Sequence, residues 1–117
     1  MSLDRDAILG ADDLTIEEVE VPEWGGLVRI RSLTGRERDR LEGDLLKKNG
    51  QGVNLDNVRA KLVVATAIDE NGKQLFQPGD APKLGEKSGS ALSKAASVAQ
   101  RLGGLSTADV EELAKNS

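Results

Sequence analysis

The 117-residue chain has no cysteine and no histidine, one tryptophan, one phenylalanine and no tyrosine. Without cysteine there are no disulfides and no thiol chemistry, which suits a reducing cytoplasm. Without histidine the commonest general base and metal ligand is missing. A serine nucleophile would need lysine or a carboxylate as its base, and no G-x-S-x-G, S-x-x-K with partners, or H-E-x-x-H pattern occurs. With aromatics limited to Trp24 and Phe76 and 38% apolar residues, the core must come from Leu, Val, Ile and Ala. Such a core buries less area per residue, so modest stability or help from association, including homo-oligomer formation, is expected. No apolar run approaches the ~20 residues that cross a bilayer. The opening Met1-Ser2-Leu3-Asp4 lacks the basic and apolar regions of a signal peptide. These absences point to a soluble cytoplasmic, non-enzymatic binding or assembly module without cofactor, catalytic group or metal site.

The charge that is present is unevenly distributed. Net charge is −4, yet residues 1–23 hold eight acids and one base, residues 29–48 hold seven bases and four acids, and the remainder is balanced. Carboxylates interleaved with the arginines make a poor phosphate-binding surface, so nucleic acid is not the expected partner. Internal pairing of an acidic strand with a basic one explains the pattern more simply.

Length implies a single domain, 1–117, with flexible ends at 1–12 and 115–117. Residues 3–14 suggest a helical turn through Ala7, Ile8 and Leu9 that breaks near Gly10. Residues 16–33 carry the strongest β signal: Val19 and Val21 alternate with Glu18 and Glu20, and Val28 and Ile30 with Arg29 and Arg31. Pro22-Glu23-Trp24-Gly25-Gly26 reads as the turn. Pairing Val21 with Val28 and Val19 with Ile30 sets Glu20 against Arg29 and Glu18 against Arg31, leaving one apolar and one charged face. Trp24, near the tip, either folds back over the apolar face or stands out as a recognition anchor.

Thr34 and Glu37 have capping-box spacing for a helix to about Lys48, with Leu41, Leu45 and Leu46 as its apolar stripe and an Arg38–Glu42 pair. Asn49 to Asn54 is a loop. Asn54 is the expected cap of a helix to about Ala67, although the β-branched run through Ile68 also suits a strand. Asp69 to Lys73 is an Asn-Gly turn; it lacks the sixth-position glycine and twelfth-position glutamate of a calcium loop. Leu75 and Phe76 should tuck into the core. Pro78–Pro82 is a second loop.

The end of the chain reads as a closing helix pair, about 90–102 and 107–115. Leu92, Ala95, Ala96, Ala99 and Leu102 recur at helical spacing, and Gly103-Gly104 supplies the stop. Ser106 caps the second helix, with Leu105 and Val110 spaced as a hydrophobic staple. The fold class is therefore α+β: an antiparallel hairpin (about 16–33) followed by a mainly helical domain. Candidate partner-binding residues are Trp24 at the hairpin tip and Ala95, Ala99, Leu102, Val110 and Leu113 on the closing pair. The alanines either admit a partner helix closely or pack internally.

Three passages taken in order resemble the small tail assembly chaperones of long-tailed bacteriophages and prophages: VEVPEWGGLVRIRSLTGRERDRLE, AIDENGKQLF and LGEKSGSALSKAASVAQRLGGLSTADVEELAKN. The resemblance implies a non-enzymatic protein that binds the tape measure protein in the host cytoplasm. It implies further that the chaperone keeps this partner soluble, helps recruit tail tube protein and is absent from the mature virion. It also implies a longer form made by programmed frameshifting, for which Lys115-Asn116 suits a slippery AAA-AAC run. Two other classes stand beside it: a structural tail or head–tail connector protein, and a small DNA-binding regulator.

Overall fold

In the computed structural model, residues 1–46, 52, 54–103, 109, 111, 112 and 115 are described. The element order is α1 (Arg5–Leu9), β1 (Ile16–Val21), β2 (Gly26–Arg31), α2 (Gly35–Leu45), α3 (Val58–Thr66), β3 (Ala67–Ile68), α4 (Ala81–Leu84) and α5 (Gly89–Arg101). The fold is α+β. A three-stranded antiparallel sheet runs in the order β1-β2-β3, with α2 and α3 inserted between its second and third strands.

The hairpin faces follow the expected alternation, but the register differs by two residues. Val19 lies opposite Val28, Val21 opposite Gly26, Glu18 opposite Arg29 and Glu20 opposite Leu27. The turn is tighter than expected. Pro22–Trp24 form one 3-10 turn, and Gly25, at φ 79°, donates its N–H to the carbonyls of Val21 (3.1 Å) and Pro22 (3.0 Å). A left-handed residue closes the turn early, and glycine takes that conformation without a Cβ clash. The strands do not pair their charges across the sheet. Arg31 reaches Glu37 at 2.6 Å, and Arg29 donates to the Glu70 carbonyl at 3.3 Å.

The capping box at α2 forms as its spacing predicts. Thr34 Oγ1 accepts from the Glu37 N–H at 3.1 Å, and Glu37 Oε1 accepts from the Thr34 N–H at 2.9 Å. Burial pushes the Glu37 carboxyl up, but hydrogen bonds from Thr34 and Arg31 outweigh it and hold it below its ordinary value. Arg38 bonds Glu42 as expected (3.3 Å) and also reaches the Gly103 carbonyl and the Asp109 carboxylate, each at 3.3 Å.

α3 starts later than a cap at Asn54 would place it and ends, as expected, near Ala67. Asn54 Oδ1 accepts from the Asp56 N–H (3.0 Å), making a local turn, and the helix is capped at Asn57, at φ 59°. Asn57 Nδ2 donates to the Ala81 carbonyl at 2.8 Å and so ties the start of α3 to α4. At the other end Thr66 Oγ1 donates back to the Leu62 carbonyl at 2.8 Å. The backbone then turns extended, and Ala67 and Ile68 pair with Ile30 and Arg29. The Asn71-Gly72 turn follows, with Asp69 Oδ1 accepting from the N–H groups of Asn71 and Lys73. Leu75 departs from expectation: it is half exposed, while Phe76 packs on the core.

The core is one cluster. Ile30 of the sheet meets Leu41 and Leu45 of α2, Leu62 and Val63 of α3, Leu84 of α4, and Leu92, Ala95 and Ala99 of α5. α5 lies across the inner face of β1 and β2, with α3 packed along it. Most of the expected 107–115 helix lies outside the described residues, as do Ser106, Leu105, Lys47 and Lys48.

Candidate protein-interaction surface

The structure separates the candidate residues into different environments. Ala95 and Ala99 sit on the inner side of α5 at 0% and 1% exposure, packed in the core rather than facing an open groove. Leu102 ends α5 and is half buried against the same core. Val110 and Leu113 lie outside the described residues. Trp24 folds back and packs on the core, yet keeps part of its surface open.

Trp24 does not stand alone. It meets Phe76, Leu84, Lys87, Ser88 and Glu23 around an open surface depression of about 420 Å³. The two aromatic residues of the chain thus converge from different elements, Trp24 from the hairpin turn and Phe76 from the segment after β3. Phe76, Leu84 and Lys87 were not among the sequence-derived candidates. Phe76 carried a usable signal, as the single other aromatic, whereas Leu84 and Lys87 acquire their place only through the tertiary fold.

The electrostatics around this depression come from α5. Lys94 Nζ bonds Glu23 Oε1 at 2.8 Å and Oε2 at 3.0 Å. That hydrogen bond, with others from the Glu23 backbone and Ser90, holds the Glu23 carboxyl down at about 2. Seven residues along the helix, Arg101 grips Glu17 with two bonds of 2.6 and 2.7 Å. The pairing lowers the Glu17 carboxyl and raises the Arg101 guanidinium. The acidic segment noted in the sequence is therefore neutralised in part by α5, not by β2. Lys87 makes no ion pair among the described residues.

Chemically, the depression offers an apolar floor of Trp24, Phe76 and Leu84, with Glu23 and Lys87 at its edge. Among the described residues no three His, Cys, Asp or Glu side chains gather to hold a metal ion. None of the described helices is long and apolar enough to cross a membrane.

No protein-family model matches the sequence, and no curated protein matches it. A solved structure does: the tail assembly chaperone of bacteriophage HK97, at 18% sequence identity and a TM-score of 0.56. The match covers 83% of this chain and 94% of that one. At that identity the likeness is one of fold. The chain has a tail assembly chaperone-like fold.

Proposed function

We propose that this chain is a tail assembly chaperone of a long-tailed phage or prophage. It binds the tape measure protein in the host cytoplasm, keeps it soluble, helps recruit tail tube subunits around it, and is absent from the finished virion. It acts without catalysis, by covering a partner's surface. The observation that carries this reading is the extent of the fold match, 83% of this chain against 94% of the HK97 tail assembly chaperone. A match over nearly the whole of both chains concerns an entire domain and not a shared supersecondary motif. Fold alone does not determine function. The order of the three sequence passages that resemble the same family is a second, separate support. A frameshifted longer form belongs to the same proposal, and its mark would be a slippery run at the Lys115-Asn116 codons.

Co-expression tests the reading. A tape measure protein, sought as a very long reading frame near this gene, is produced with and without this chain and fractionated. The expected outcome is a soluble tape measure protein that co-purifies with the chain. A tape measure protein that stays insoluble, with no co-purification, rejects the reading. Detection of the chain in purified virions by mass spectrometry would replace it with a structural tail or connector role.

A further inference from the structure

We propose that the depression floored by Trp24 and Phe76 receives an apolar side chain from an acidic amphipathic helix of the tape measure protein. The proposal rests on the chaperone reading and adds the docking site and the chemistry of what docks. Three features support it. Trp24 and Phe76 are the only aromatics in the chain, and both are partly buried, packed on the core while lining the same depression. A few residues carry most of the energy at protein interfaces, and tryptophan is enriched among them.

The turn that carries Trp24 is also held in place. Pro22 restricts the backbone at its entry, and the Gly25 N–H closes it on the Val21 and Pro22 carbonyls. Glu23, next to Trp24, is held by Lys94 at 2.8 Å. A side chain on an ordered turn that already packs on the core loses less freedom on binding, so more of its contact energy appears as affinity.

Charge then selects the partner. Within the lining, Glu23 is paired with Lys94, whereas Lys87 makes no ion pair among the described residues. The chain as a whole carries −4, so an attractive site for an acidic segment has to be local. A helix with a bulky aliphatic residue and a carboxylate one turn away would fill the floor and meet Lys87 together.

The lone tryptophan makes the test direct, because its emission reports on this depression alone. Overlapping tryptophan-free peptides of about 25 residues, tiled across the tape measure sequence, are titrated into the wild-type chain. Acidic amphipathic tiles are expected to shift or quench the Trp24 emission, with weaker binding as salt is raised. Lys87→Glu, an exposed change that leaves the core intact, is expected to weaken those tiles up to about fivefold. Phe76→Ala should weaken them about thirtyfold, with circular dichroism confirming that the variant is folded. If the wild-type chain co-purifies with the tape measure protein but no tile moves the emission and Lys87→Glu binds unchanged, the site is wrong and the chaperone reading stands. If there is no co-purification, both fall. An emission shift that grows with the concentration of the chain alone assigns the depression to a second copy and overturns the proposal.

Discussion

Glu23 ties the hairpin turn to α5, and its acid behaviour follows from the geometry. The Lys94 ammonium, 2.8 Å away, stabilises the ionised carboxylate and holds its pKa at about 2, below the ordinary 4.5. A carboxyl depressed in the folded state contributes stability that is fully present above its unfolded value and disappears as pH falls through its folded value. The gain from this pair is therefore expected to be constant above pH 4.5 and to vanish between pH 4.5 and about 2. Denaturant melts of wild type and Glu23→Gln across that range should converge at the acid end. Curves that stay parallel down to pH 2 would show that the pair does not form in solution. The carboxylate is solvent-exposed, so salt should narrow the gap between the two proteins at neutral pH.

Helix α5 fills its environment with small side chains, and that fixes what substitutions can report. Ala95 is fully buried on α5, the helix that packs against α3 and the sheet. Ala95→Leu adds volume to a filled core and is expected to destabilise by about 1–3 kcal/mol, read from urea midpoints. A gain in stability would reveal a void beside α5. Ala95→Glu or Ala99→Glu would bury an unpaired carboxylate and unfold the chain, so neither can probe binding. The periodicity that identified this alanine stripe was legible in the sequence; whether it faced a partner or the sheet was not, because both uses demand the same apolar spacing. The hairpin shows the same limit. A slip of one residue would have turned every valine outward, so the faces were readable, but a slip of two preserves them. The choice between those registers was made by Gly25, whose left-handed backbone shortens the turn. Short β3 was ambiguous for a related reason: Val63, Val64, Thr66 and Ile68 suit a buried helix as well as a strand. The buried hydroxyl of Thr66 and pairing with β2 decide where one becomes the other.

At the scale of the whole molecule, the packed unit begins at the sheet. Helix α1 is capped at both ends, by Asp4 and Gly10, yet buries no residue, and Leu3, Ile8 and Leu9 stay more than half exposed. Beyond α1, Leu14 is partly buried, and the Thr15 N–H donates to Ser32 Oγ at 2.8 Å while its carbonyl accepts from the Ser32 N–H. A helix of five residues receives little from its own hydrogen bonds, so its persistence in water depends on what it packs against. Tolerance of truncation follows from burial and hydrogen bonding rather than from position in the sequence. Deleting residues 1–12 therefore removes no core contact and leaves the Thr15–Ser32 bonds intact. The truncated chain is expected to unfold within about 0.5 kcal/mol of the full one, with the same denaturant slope, since the surface exposed on unfolding barely changes. A larger loss, or a shallower slope, would mean that Leu3, Ile8 and Leu9 pack on the domain in solution. If the truncation preserves stability but lowers the solubility of co-expressed tape measure protein, α1 contributes to binding and not to the fold.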